Sequence, residues 1–116
     1  MELLVDKVND VTVVDVKTEF LDASNNRDFK ERMSALLPDV KNLLLNLQHV
    51  QFIDSSGLAS LLTCLKQLSA GGGDMKICGV TSPVKALFDL VKMNRIVEVS
   101  RTRDEALKSF AKGAQP

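Results

Sequence analysis

Apolar and polar residues alternate along the first part of the chain in two runs, 3–8 and 11–16, both rich in β-branched side chains. Asn9 and Asp10 separate them, a two-residue polar break that predicts a hairpin by a weaker signal than Asn-Gly. In the second run Val11, Val13 and Asp15 share one face, and Thr12, Val14 and Val16 the other. Residues 17–25 carry no period and predict an irregular polar connection. The period then becomes helical. Phe29, Met33, Leu36 and Leu37 form one stripe, predicting a helix over about 26–37 with Asn25 or Asn26 as cap and Pro38 as stop. Arg27–Glu31 and Asp28–Arg32 are opposite charges four apart on its outer face, each worth ~0.2–0.5 kcal/mol.

Residues 41–47 form a nearly continuous apolar run, the pattern of a strand covered on both faces in a parallel sheet. A second short run, Val50 to Ile53, leads into Asp54-Ser55-Ser56-Gly57. Leu58, Leu61, Leu62, Leu65 and Leu68 then give the strongest helical stripe in the chain, ending at Ala70 and Gly71-Gly72-Gly73. Residues 74–80 predict another strand. Ser82-Pro83 predicts a cap with proline at the first helical position, opening a helix with Val84, Leu87, Phe88 and Val91 as its stripe. Ile96–Val99 predicts a short strand. Thr102 and Glu105 have capping-box spacing ahead of a last stripe of Leu107, Phe110 and Ala111, which Gly113 ends. The order β-β-α-β-α-β-α-β-α predicts one α/β domain over residues 1–112. Its sheet is mixed and mostly parallel, with an N-terminal antiparallel hairpin and about four helices, and 113–116 form a short frayed tail.

Composition narrows the function. The 116 residues, 45% hydrophobic and 26% charged, suffice for one domain with a real core. Fifteen basic residues balance fifteen acidic ones, so the basic excess of a nucleic-acid binder is missing, and direct nucleic-acid binding is not expected. Trp and Tyr are absent and aromatics are 4%, which leaves no stacking platform for single strands. No apolar run approaches the ~18 residues of a membrane span, and the N-terminus lacks the basic-then-apolar plan of a signal peptide. Cys64 and Cys78 fit no CxxC pattern and predict reduced thiols in a cytoplasmic protein. No apolar stripe is left unassigned to the core, so a monomer is the default expectation.

Candidate chemistry is sparse. His49 is the sole histidine and lies in a loop, where a structural or merely exposed role is the simpler reading. The serines at 55 and 56 lack the G-x-S-x-G elbow of a hydrolase, and one His with two scattered Cys makes no zinc site. Gly71-Gly72-Gly73 follows a helix and precedes a strand, the reverse of a phosphate loop, and predicts a helix stop. Met33, Met75 and Met93 predict packing, and no cofactor is implied. What remains is Asp54-Ser55-Ser56-Gly57-Leu58 at a strand-to-helix junction. One reading is a helix cap and nothing else, since Asp and Ser oxygens accept first-turn N–H groups. The other notes that one cap would have sufficed and that α/β sheets place sites at the carboxyl ends of strands. A kinase-accessible serine there would carry a phosphate of about 1.5 to 2 negative charges beside the positive end of a helix.

The segment Phe52-Ile53-Asp54-Ser55-Ser56-Gly57-Leu58-Ala59-Ser60-Leu61-Leu62 resembles the signature of STAS domains, in particular bacterial anti-sigma factor antagonists. Leu21-Asp22-Ala23, Leu43-Leu44-Leu45-Asn46-Leu47, Gly72 through Val80 and Ser82 through Phe88 are similar to further family segments in the same order. The resemblance implies a switch rather than an enzyme. The unphosphorylated protein would bind a GHKL-type serine kinase that doubles as anti-sigma factor and so release the sigma factor. The kinase would phosphorylate Ser55 and end the complex, and a PP2C-type phosphatase would reset it. Asp22 and Asp54 would flank Ser55, with Ser56, Gly57 and Leu58 completing the docking tip. Glu19 stands where the family often has Gly, which bears on the choice of kinase. The alternative that the resemblance admits is a STAS subunit that docks on the ATPase of a membrane transporter; balanced charge fits both readings, and the intact phosphoacceptor serine favours the first.

Overall fold

The computed structural model of the chain describes residues 1–113. β1 (Glu2–Val8) and β2 (Val11–Lys17) form the hairpin, closed at the Val8–Val11 pair. Asn9 turns the chain with φ of 58°, a left-handed conformation that asparagine tolerates better than most residues. β4 (Asn42–Asn46), β6 (Asp74–Cys78) and β7 (Glu98–Ser100) complete a five-stranded sheet in the order β1-β2-β4-β6-β7, parallel throughout except for the hairpin.

Side-chain alternation divides the core between the two faces of this sheet. Val14, Val16, Leu43, Leu45, Met75 and Ile77 point into the larger cluster, which α1 (Asn26–Leu36), α2 (Ser55–Ala70) and α3 (Ser82–Leu90) cover. Val11, Val13, Leu44 and Cys78 point the other way, against Ala106 and Phe110 of α4 (Arg103–Gly113). The unbroken Leu43-Leu44-Leu45 run is therefore buried on both faces, as a central parallel strand requires.

The expected architecture holds, with local corrections. Residues 17–25 are not wholly irregular: β3 (Phe20–Leu21) pairs in parallel with β5 (Phe52–Ile53) as a separate two-stranded sheet. Asn25 occupies the cap position of α1 without a side-chain cap bond, because its side chain is taken by the backbone of Asp22 and Phe20. Thr81, not Ser82, precedes α3, and its hydroxyl donates to the Val50 carbonyl at 2.7 Å instead of capping. Val91 falls outside α3 and is exposed. A turn with Lys92 at φ 57° and a 3-10 turn at Met93–Arg95 delay the last strand to Glu98, leaving Ile96 exposed. Thr102 accepts the Glu105 N–H at 3.1 Å as its spacing predicts, but Ala106 rather than Ala111 joins the core. The stop at Gly71–Gly73 is confirmed by the Gly73 N–H, which donates to the Leu68 carbonyl at 2.8 Å with Gly72 at φ 80°. α4 runs through Gly113, the last described residue, and residues 114–116 of the expected tail lie outside the described residues.

Candidate functional site

The two-residue sheet explains how segments thirty residues apart meet. Leu21 and Ile53, paired in register, are buried, and the Asp54 N–H donates to the Leu21 carbonyl at 3.2 Å. The next residue on each strand is an aspartate, so parallel pairing brings Asp22 and Asp54 to the same edge. The Ala23 N–H then donates to Asp54 Oδ2 at 3.1 Å, tying the loop after β3 to the start of α2. Asp22 Oδ1 accepts from the Ser24 N–H at 2.9 Å and from the Ser24 hydroxyl at 2.6 Å, which folds that loop on itself.

Asp54 caps α2. Its backbone is extended, and Oδ1 accepts the Gly57 N–H at 2.9 Å and the Ser56 hydroxyl at 2.6 Å. The Ser56 hydroxyl, followed by the Gly57 and Ala23 N–H groups, stabilises the ionised form and holds the Asp54 carboxyl below the ordinary carboxylate range. Ser56 is half-buried and committed to this cap. Ser55 is the first residue of the helix and exposed, and its hydroxyl makes no hydrogen bond among the described residues.

Gly57 is buried under the tip. A Cβ there would stand 2.1 Å from the Leu21 carbonyl oxygen and 3.1 Å from Ile53 Cγ2, so only glycine lets β3 lie this close to the helix. Leu58 is half-buried and packs on the main core. Ser55, Asp54, Asp22 and Ser56 therefore form the surface of the tip, while Gly57 and Leu58 set its shape from beneath.

Sequence reasoning missed Phe20 and Phe52. They oppose each other on the small sheet with 43% and 54% of their surface exposed, forming an aromatic rung that the Leu21–Ile53 pair separates from the two aspartates. The Glu19 carbonyl accepts the Gln51 and Phe52 N–H groups at 2.7 and 3.2 Å, so Glu19 contributes to the platform through its backbone, with its side chain exposed. His49 Nε2 lies 3.2 Å from Lys17 Nζ and 3.9 Å from Asp15 Oδ2, and makes no contact with the tip. The two cysteines are buried and unpaired. Among the described residues no group of three or more His, Cys, Asp or Glu could hold a metal ion, and no helix is long and apolar enough to cross a membrane.

The family model for the STAS domain matches residues 2–106. The anti-sigma F factor antagonist of Paenibacillus polymyxa is 34% identical over 67 residues, a stretch that spans 58% of this chain and 57% of that protein. A Thermotoga maritima protein provisionally named an anti-sigma factor antagonist is 27% identical over 104 residues, 88% of this chain and 92% of its own. A Thermotoga maritima crystal structure bearing the same provisional name superposes with a TM-score of 0.83 at 25% identity, covering 92% of each chain.

Proposed function

The chain belongs to the STAS domain family, and from that premise we propose that it is a phosphorylation-controlled anti-sigma factor antagonist. STAS domains are non-catalytic regulatory modules, and this one acts as partner and substrate. In its unphosphorylated form it binds a GHKL-type serine kinase that is also an anti-sigma factor, and the sigma factor is released. Phosphorylation of Ser55 ends that complex, and a PP2C-type phosphatase restores it.

The observation that carries this reading is the division of labour between adjacent serines. Ser56 spends its hydroxyl on Asp54, whereas the Ser55 hydroxyl is exposed and unbonded among the described residues. A kinase reaches Ser55, and not Ser56, without breaking the helix cap. A phosphate on Ser55 brings about 1.5 to 2 negative charges to an edge already carrying Asp22 and Asp54. The helix N-terminus tolerates that charge, so the domain stays folded while its docking edge becomes repulsive to an acidic partner surface.

The test is the intact mass of the protein purified from its own cells, followed by site mapping. One added phosphate on Ser55, absent from Ser55→Ala, is expected. A phosphate that persists in Ser55→Ala, or maps to Ser56, overturns the assignment. Affinity capture with the unphosphorylated protein is expected to recover a GHKL-type kinase, and recovery of a transporter ATPase in its place would refute the sigma-factor reading.

A further inference from the structure

A cleft with a mainly apolar lining lies between α3 and β7, and none of its lining residues belongs to the Ser55 tip. It encloses about 230 Å³. β7 is the outermost strand of the sheet, so no further strand covers this side. The apolar lining comes from Val80, Phe88 and Val99, with Phe88 3% exposed and fixed by the core. Lys85 and Asp89 stand on the α3 lip and are paired with each other at 2.8 Å. Arg101 stands on the opposite lip, 85% exposed, and its nearest anion is Glu105 at 3.8 Å. Asn94 closes one end, presented by the turn in which Lys92 adopts φ of 57° and Met93 is fully buried.

We propose that this cleft binds a small amphipathic anion, an aromatic or branched aliphatic carboxylate. The apolar body lies on Phe88, Val80 and Val99, and the carboxylate pairs with the Arg101 guanidinium, whose planar fork suits two parallel hydrogen bonds. Lys85 is held by Asp89 at 2.8 Å, whereas Arg101 meets Glu105 only at 3.8 Å, so the Arg101 guanidinium is the less committed of the two lip cations and the one a carboxylate would compete for. The volume lies below the roughly 300–1,000 Å³ of drug-sized sites, which sets the ligand at fragment size. It lies at the carboxyl ends of β6 and β7, on the side that α3 covers. The inference does not depend on the phosphoswitch, since none of the cleft residues belongs to the Ser55 tip.

Titration of the ¹⁵N-labelled full chain with hydrocinnamate, followed by amide shifts, tests it. Saturable shifts are expected at Val80, Val99 and Arg101. The uncharged analogue hydrocinnamamide is expected to bind about tenfold more weakly, the low end for a charge-assisted pair. Arg101→Gln is expected to abolish the tenfold preference and to leave the thermal midpoint unchanged, because the side chain is exposed. Equal affinity for acid and amide, shifts centred on residues 52–58, or no saturation at millimolar ligand would each overturn the proposal.

Discussion

Replacing Gly57 with alanine is the sharpest test of how the Ser55 tip is built. The added methyl carbon would meet the Leu21 carbonyl oxygen at 2.1 Å and the Leu21 carbonyl carbon at 2.8 Å. An ordinary carbon-to-oxygen contact is about 3.3 Å, so β3 or α2 must move by more than about 1 Å. Neither is free to do so: Leu21 is fully buried, and its carbonyl also accepts the Asp54 N–H. Overpacking typically costs ~1–3 kcal/mol, and a backbone wall belongs at the top of that range. Alanine returns at most ~1 kcal/mol through its better helix propensity. The expected net loss is about 2 kcal/mol, or roughly 8 °C in midpoint at roughly 4 °C per kcal/mol for a domain of this size. Urea and thermal unfolding measure it. Ala59→Gly, exposed on the same helix, supplies the propensity term alone and should lose no more than ~1 kcal/mol. A Gly57→Ala protein as stable as the wild type would refute the close approach of β3 to α2.

Other expectations concern charge and thiols. Asp54 has its folded-state carboxyl held low, so its charge stabilises above the unfolded value of ~3.9 and ceases to do so as pH falls through the lower folded value. The urea midpoints of wild type and Asp54→Asn should therefore differ at neutral pH and converge in acid, and a difference independent of pH would refute the assignment. Ser55→Asp places a negative charge at a helix start and should leave stability unchanged or raise it by about 0.3–1 kcal/mol, while weakening kinase binding in calorimetry. Equal affinity of the two proteins would count against charge repulsion. Burial pushes the thiols of Cys64 and Cys78 up to about 11, so Ellman's reagent at pH ~8 should react with neither until urea unfolds the chain. Rapid reaction of the native protein would contradict their burial.

Long periodic segments were legible in the sequence because their pattern repeats the geometry of the element. Alternation in 11–16 places Val11 and Val13 on the α4 face and Val14 and Val16 on the other, as observed. The helix over 55–70 was equally plain, though its buried stripe includes Gly57, Ser60 and Cys64, which a leucine pattern passes over. Two-residue strands have no period. Phe20–Leu21 and Phe52–Ile53 become strands only because each finds the other, and so the aromatic rung could not be read from local pattern. Caps failed where another partner took the side chain from the helix: Thr81 bonds to Val50 across the fold, and Asn25 bonds to Asp22 and Phe20 in the turn just upstream. Asp54 was readable as a cap because its partners Ser56 and Gly57 are local, while its third, Ala23, comes from pairing across the small sheet.

The choice between a mere cap and a functional site at 54–58 dissolves in this geometry. Asp54 and Ser56 complete the helix start between them, and Gly57 gives up a side chain so that β3 can press against it. Ser55 takes part in none of these bonds, yet the other residues fix its place at the edge beside Asp22. A phosphate added there displaces no existing bond, so the cost of modification is not paid in folding. It takes a chain of formal charge zero to about −2, all of it at one corner. Under the proposed function the rigidity of the corner is what turns that added charge into a change of partner: a loop free to move could swing the phosphate into solvent, whereas this one is bonded on both sides, through Ala23 and through Gly57.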